Sequence, residues 1–561
     1  MGDNKFIPDY RRTSYKNRDR FNPGEIRRRR DEFQVKLRKE RQYQLLEKRR
    51  FEDTSTQSTS SSSNPGESSN IYDSEEDVED ESFPSQSLET LQVELTQWET
   101  TLSNSYDLQE QLAVLVKIRQ SILENDKLTL NETTIKIVFK YLQDYKLPML
   151  QYEALWVINN LTSGDHSKVK YLIKRDIINI LFTLLESGKC DFDCQEHVIW
   201  IIGNIAGDCS EYRKLLCKHE PGVINLLVEV ILMWDKMILN GGTIPLSLWR
   251  ITSWTLSNVL KSFRMDYLPE INVKFITILK TLLKMDDIEV LSNTCWALSY
   301  LNCKNVEITN GLIINSEILP QLARLLPLNE LSIIIPCLKV IGNITSGTDE
   351  QTQYLVDINI LPTLKEMLTI FEDNEYIIKQ ILWNVSNIVA GTKEQFQSTL
   401  QQNIIPKVVA YLLPNNAYMI RREACWVICN IISRHDLTSD MLQYMILQKF
   451  ITPLYRLLNN AEPALQNIIL STFEIIFKFG MRDTELNTHL PFNMFSSYIE
   501  QNCGTDILLD IQVNGENDEL VAKASHILDS YFDSTNNDIP IDSKEASLNP
   551  KIEGNRFKFE Y

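Results

Sequence analysis

From residue 88 to residue 534 the chain alternates apolar helical stretches with short polar breaks. The segments "IINILFTLLES", "ILPQLARLLPL", "ILPTLKEMLTI", "IIPKVVAYLLP" and "ITPLYRLLNN" set Leu or Ile at i, i+3 and i+4, one face of an amphipathic helix. Between them runs a second pattern, a tryptophan followed four residues later by an asparagine. It occurs as Trp156–Asn160, Trp200–Asn204, Trp254–Asn258, Trp383–Asn387 and Trp426–Asn430. Lys339 fills the tryptophan slot once, with Asn343 in place.

The pattern is periodic. Trp156 and Trp200 stand 44 residues apart, Trp254 and Trp296 42, and Lys339, Trp383 and Trp426 follow at 43, 44 and 43. The one long interval, 54 residues from Trp200 to Trp254, contains an insertion of about ten residues near "MWDKMILNGG". A helical repeat of roughly 40–47 residues is the signature of armadillo or HEAT arrays. The expected fold is all-α: stacked helical repeats of the armadillo or HEAT kind that curve into a superhelix with one concave side.

Residues i and i+4 share a helix face. On the inner helix of each repeat, tryptophans and asparagines would form two parallel ladders. Asparagine can hydrogen-bond both the N–H and the C=O of an extended peptide. Tryptophan faces form slots for the aliphatic stem of Lys or Arg, with cation–π attraction to the charged end. Asp208 in "GNIAGD" and Asp349 in "GTDE" are spaced to stand at the slot mouths. One tryptophan in an apolar helix is ordinary core. Five pairs near one period are not, because asparagine is costly in a core without partners. The chemistry selects an extended, lysine-rich peptide.

The first 87 residues have a different character. Residues 1–51 form a basic arm. In it "NPGE" offers Asn22 as N-cap, Pro23 in the first turn and Glu25 three residues after the cap. The helix would run through "EIRRRRDEFQVKLRKERQYQLLEKRR", with a thin apolar stripe of Ile26, Phe33 and Leu37, and should order fully only on a partner. Residues 52–87, Ser-rich and then acidic, cannot bury a core and should be a disordered linker; residues 535–561 read as a disordered tail.

Charge sharpens this division. The net charge is −18, yet residues 1–50 carry 17 Lys/Arg against 8 Asp/Glu, a balance of +9 that leaves −27 on the remainder. Such an arm either docks on its own acidic body or binds another acidic partner. The acidic body argues against nucleic acid as a ligand. No apolar run approaches a membrane span. "MGDNKFIPDY" has no apolar core for a signal peptide, and Phe6 breaks the myristoylation pattern. Cysteines such as Cys295, Cys337, Cys425 and Cys429 lie in apolar segments, as reduced core thiols do. Cys190 and Cys194 have no second pair at a zinc spacing, so no metal or other cofactor is expected. The six histidines fall in no catalytic arrangement, and "SGTDE" lacks the lysine of a phosphate loop, so the chain is not expected to be an enzyme.

Here the residues become specific. "FIPDYRRTSYKNRDRFNPGEIRRRRDEFQVKLRKERQ", continuing to "EKRR", resembles the importin-beta-binding segment of the importin alpha family. "QYEALWVINNLTSG", "GNIAGD", "SWTLSNV", "CWALSYL" and "IGNITSGTDEQTQ" resemble that family's armadillo repeats, which implies a right-handed superhelical solenoid of about ten of them. The resemblance covers residues 5–51 and 88–534. It implies a nuclear import adaptor, shuttling between cytoplasm and nucleus, that binds nuclear localisation signals and hands them to importin beta. By motif, the major cargo site would be Trp156, Asn160, Ser163, Trp200, Asn204, Asp208, Trp254 and Asn258. The minor site would be Lys339, Asn343, Asp349, Trp383, Asn387, Trp426 and Asn430. Importin beta would be held by Arg27, Arg28, Arg29, Arg30, Lys36, Arg38, Lys39 and Arg41. The cluster Lys48, Arg49 and Arg50 would fold back into the groove as an autoinhibitor.

The chain also departs from the family. Arg is usual where Lys339 sits, acids are usual at Asn293 and Gln380, and "SRHD" replaces a Ser-Gly turn after Asn430. These losses should weaken the minor site. Tyr300 in place of asparagine is the family norm. "LVAKASHILDSYF" resembles the last repeat's helix, which implies docking of the recycling exportin with Ran-GTP; nuclear pore components are a further partner the resemblance allows. Two other readings compete. A membrane or junction scaffold would call for an acylated N-terminus and no basic helix. An importin-alpha relative with narrowed cargo or a non-transport scaffold role would suit the altered minor-site residues.

Overall fold

In the computed structural model of the chain, the described residues are 88–125, 127–261, 273–301, 317–486, 493–515 and 517–532, together with the backbone of 551–553 and 556–558. The arm, with its expected helix and its Arg27–Arg30, Lys36, Arg38, Lys39, Arg41 and Lys48–Arg50 clusters, lies outside them, as does the linker.

The fold is all-α and armadillo-like, in two compact units divided after Leu301. The first holds twelve described α-helices, from Leu88–Asn104 to Ile288–Tyr300; the second holds fourteen, from Ile318–Leu325 to Asp518–Tyr531. The repeating unit is a short, a medium and a long helix, as in His166–Ile173, Ile177–Glu186 and Phe192–Asp208. Asp349–Asp357, Ile360–Ile370 and Glu375–Val389 repeat it in the second unit.

Local sequence explains each break. Three of the short helices start on side-chain caps: Asp165 accepts from the N–H of Ser167 and Lys168, while Thr348 and Thr392 form capping boxes with Gln351 and Gln395. The Ser167 hydroxyl on Asp165 holds that carboxyl below the usual range. The turn into the medium helix needs one left-handed residue. Asp176, Glu317, Asn359, Asn403 and Lys449 supply it, at φ of 51–64°, and Gly222 does so before Val223. Short polar side chains and glycine tolerate that conformation best.

The insertion near "MWDKMILNGG" lengthens a helix. Val223–Leu239 runs 17 residues, against 10 in Ile177–Glu186, before turning at Gly241. Its Trp234 is fully buried, donates from Nε1 to Gln195 Oε1 at 3.0 Å, and meets Trp249 edge-on at 5.3 Å. The tryptophan five residues before Trp254 therefore anchors the insertion and is not a rung.

Within each unit the long helices pack side by side in chain order. In the first, Leu108–Glu124, Pro148–Ser163, Phe192–Asp208, Leu246–Leu260 and Ile288–Tyr300 form one row. In the second, Leu331–Thr345, Glu375–Val389, Tyr418–Ile432, Pro463–Leu486 and Asp518–Tyr531 form another. Cys295, Cys337, Cys425 and Cys429 are buried and outside any disulfide. Burial pushes the Cys190 thiol up to about 11 and raises Cys194 further. No described helix is long and apolar enough to cross a membrane. In the tail, Lys551–Glu553 pairs antiparallel with Arg556–Lys558, the β structure found among the described residues.

Candidate functional site

The first unit brings Trp156, Trp200 and Trp254, with Asn160, Asn204 and Asn258, onto three adjacent long helices. The rings are well packed: Trp156 is 3% exposed, Trp200 4% and Trp254 9%.

Each asparagine is bonded to the repeat before it. Asn160 Nδ2 donates to the Arg119 carbonyl at 3.0 Å, and Asn258 Nδ2 to the Gly203 carbonyl at 3.2 Å. Asn204 Nδ2 donates to Asn159 Oδ1 at 2.9 Å and Thr162 Oγ1 at 3.3 Å. The carbonyl ends differ. Oδ1 of Asn204 and of Asn258 is buried and takes no hydrogen bond among the described residues. A buried acceptor left in this way costs about 1–3 kcal/mol. Asn204 and Asn258 thus hold the fold together through nitrogen and keep oxygen in reserve, a division the sequence pattern does not reveal.

Glycine sets how the tryptophans lie. A Cβ on Gly203 would fall 2.2 Å from Trp254 Cζ3, and one on Gly342 2.0 Å from Trp383 Cζ3. In both "GN" dipeptides the glycine lets the next repeat's ring rest on the helix backbone. The asparagine of "GN" stands out by its period and the glycine does not, though the same dipeptide recurs in "IIGN" and "VIGN".

Two other contributors escaped notice. His197, three residues before Trp200, stands between two rungs, its ring 5.2 Å from Trp156 and stacked 6.2 Å from Trp200. Helical spacing from Trp200 could have flagged it. Arg119 lies 4.1 Å over the Trp156 ring and pairs with buried Glu153 at 2.8 Å. The cation–π arrangement expected between ladder and ligand already exists once inside the protein.

Asp208 has a partner that the sequence does not announce. Its Oδ2 lies 2.6 Å from His166 Nδ1, its side chain is only 12% exposed, and the His166 ring stacks on Tyr212 at 5.3 Å. An imidazole therefore occupies one oxygen of the carboxylate expected to face lysine. Ser163 donates to the Asn160 carbonyl at 3.0 Å, closing the end of its helix. Asn293 reaches Ser253 Oγ at 3.4 Å, and Tyr300 stacks on Trp296 at 5.8 Å.

The second unit assembles the other row. Lys339, Asn343, Trp383, Trp426 and Asn430 are half-buried, and Asn387 is buried. The inter-repeat bonds recur. Asn387 Nδ2 donates to Thr345 Oγ1 at 3.1 Å and Ser346 Oγ at 3.0 Å; Asn430 Nδ2 donates to the Ser386 carbonyl and hydroxyl, both at 3.0 Å. Asp349 is exposed at the start of its helix, and its carbonyl accepts from Gln395 Nε2 at 2.7 Å. The "SRHD" turn has a structural job. Arg434 donates to the Val389 and Gly391 carbonyls at 2.8 and 2.9 Å and pairs with Asp436 at 2.8 Å. That bond holds the Asp436 carboxyl below the usual range.

Comparisons with known proteins point to one family. Residues 11–115 match the family model described as the importin beta binding domain. The chain is 32% identical over 399 residues to importin subunit alpha-1b of Oryza sativa subsp. japonica, covering 71% of this chain and 70% of that one. It is 28% identical over 525 residues to importin subunit alpha-3 of Arabidopsis thaliana, covering 93% and 92%. An engineered protein of known crystal structure superposes with a TM-score of 0.62 at 17% identity, over 78% of this chain and 98% of that one, a likeness of fold alone.

Proposed function

The chain belongs to the importin alpha family, and from that premise we propose that it is a nuclear import adaptor, shuttling between cytoplasm and nucleus, whose rows of Trp and Asn bind the Lys/Arg-rich localisation signals of cargo. The basic arm links that cargo to importin beta through Arg27–Arg30, Lys36, Arg38, Lys39 and Arg41. Lys48, Arg49 and Arg50 occupy the cargo surface when importin beta is absent. The last long helix, Asp518–Tyr531, is the docking face for the recycling exportin with Ran-GTP. The protein acts by binding and performs no catalysis.

One observation carries the reading: two successive rungs, Asn204 and Asn258, keep a carboxamide oxygen without a partner beside the tightly set rings of Trp200 and Trp254. Both side chains are buried, so an extended peptide reaches these acceptors by turning the carboxamides outward, bringing backbone N–H groups to them while its lysine stems lie along the ring edges. Asp208 supplies the charge. His166 engages Oδ2, which leaves Oδ1 to a lysine ammonium.

The test is titration of residues 88–534 with a Lys-rich peptide carrying one basic cluster. Asp208→Lys removes and reverses the charge, and should cost on the order of 2–5 kcal/mol of binding. Equal affinity in the variant and the parent would refute the site assignment. A second reading, a relative with narrowed cargo or a scaffold role, is favoured by Lys339, by Gln380 and by the imidazole on Asp208. It predicts that few basic peptides bind either row.

A further inference from the structure

We propose that His166, Asp208 and Cys209 form a binding site for a borderline transition-metal dication of the zinc class, and that the metal competes with cargo lysine for the Asp208 carboxylate. The competition rests on the cargo role proposed for Asp208; the site itself does not.

The ligand atoms of the three residues all lie within 4.8 Å of one another, and they form the only such group among the described residues. Imidazole nitrogen, carboxylate oxygen and thiolate sulfur are the donors zinc takes. Three protein ligands leave a fourth position for water, the pattern of an open site.

One feature holds the imidazole in place, and a second leaves the thiol available. The His166 ring lies flat on Tyr212, 9° from parallel, and this stacking aims Nδ1 at Asp208. Cys209 sits at a helix N-cap, with extended φ −151° and ψ 166°, yet its side chain makes no cap hydrogen bond. Ser, Thr, Asp or Asn at that position would supply about 1 kcal/mol of capping. The thiol forgoes this and stays beside the carboxylate and the imidazole. His166 begins one short helix, while Asp208 and Cys209 join the next long and short helices, so a metal would bridge adjacent repeats. Cys190 and Cys194 are buried with raised thiol pKa and make poor competitors.

The consequence for cargo is electrostatic. Binding deprotonates Cys209. A dication with one thiolate and one carboxylate is neutral as a cluster. The carboxylate that would attract a lysine ammonium is then neutralised and committed to the metal.

The experiment uses the full chain, reduced with a phosphine, and Co²⁺ as an optical probe for zinc. We expect a thiolate-to-cobalt charge-transfer band that saturates at one metal per chain and is bleached by Zn²⁺. Cys209→Ser should abolish the band and His166→Ala should weaken it. No band in the parent, or the same band in Cys209→Ser, overturns the site. In a second arm, Zn²⁺ should raise the Kd of a fluorescent Lys-rich peptide for the parent by ~10-fold, within the usual coupling range, and leave Cys209→Ser unchanged. A cobalt band with no effect of Zn²⁺ on peptide binding overturns the competition. If the metal-free parent fails to bind peptide at all, the cargo reading falls, while the cobalt arm still decides the metal site.

Discussion

Gly203→Ala is the sharpest single test of how the first row is built. By helix propensity alone the change should stabilise the Phe192–Asp208 helix by about 0.8–1 kcal/mol. The structure predicts the opposite. The new Cβ would stand 2.2 Å from Trp254 Cζ3, 2.8 Å from Trp254 Cε3 and 2.5 Å from Thr255 Oγ1. Carbon pairs are comfortable at roughly 3.5–4.0 Å, so the Trp254 helix must withdraw by more than about 1 Å. Overpacking of this kind costs about 1–3 kcal/mol. Withdrawal also strains two bonds from the same helix, Thr255 Oγ1 to the Ile199 carbonyl at 3.0 Å and Asn258 Nδ2 to the Gly203 carbonyl at 3.2 Å. Each is worth about 0.5–1.5 kcal/mol. After the propensity gain, the net loss is about 1–5 kcal/mol. Repeat arrays need not unfold in two states, so amide hydrogen exchange is the better assay: amides of Leu246–Leu260 should exchange faster in the variant. Trp254→Leu in the Gly203→Ala background should recover part of the loss, because it removes the clashing ring. A Gly203→Ala protein as protected as the parent, or better protected, would refute the close-packed ring-on-backbone account.

Three further outcomes follow. Arg434→Ala takes the donor from two carbonyls and a carboxylate, and should lower stability by about 1.5–3 kcal/mol. Asp436 is depressed by its bond to Arg434, so its contribution is full above the ordinary aspartate pKa of about 3.9 and is lost as pH falls through the lower folded value; thermal midpoints below about pH 4 should fall with acid in the parent and less so in Arg434→Ala. Importin beta should raise cargo affinity by roughly 5–150-fold, and cargo should strengthen importin-beta binding by the same factor; replacing Lys48, Arg49 and Arg50 with Ala should remove most of this coupling, and equal cargo binding by parent and variant without importin beta would exclude autoinhibition. Asn293→Asp with Gln380→Glu should raise the ratio of bipartite to monopartite peptide affinity, and an unchanged ratio would show that these positions do not weaken the minor site.

The repeat architecture was legible because its cause is local. An apolar stripe every few residues makes a helix, and a period near 43 residues stacks helices of the same kind. The Trp and Asn positions were legible for the same reason. What stayed hidden depends on the neighbouring repeat. Nothing in "GNIAGD" announces that His166, 42 residues earlier, reaches Asp208, and nothing in "SRHD" announces that Arg434 reaches back to Val389 and Gly391. Trp249 and Trp254 look alike in sequence, yet one packs on Trp234 and the other on Gly203. Long-range pairing separates them, and periodicity carries no information about it.

The inter-repeat bonds of the asparagines constrain how such a protein can be altered. A rung made from Asn258 and the Gly203 carbonyl, or from Asn430 and Ser386, belongs to two repeats at once. The repeats joined in this way are not self-contained cassettes. Exchanging one to change the recognised residue also replaces half of a joint with its neighbour, so grafts should succeed when cut through the middle of a repeat, with both sides of each joint carried together. The same sharing means that an alanine at a rung reads out cohesion and recognition in one number, and only a companion change on the neighbouring helix can separate them.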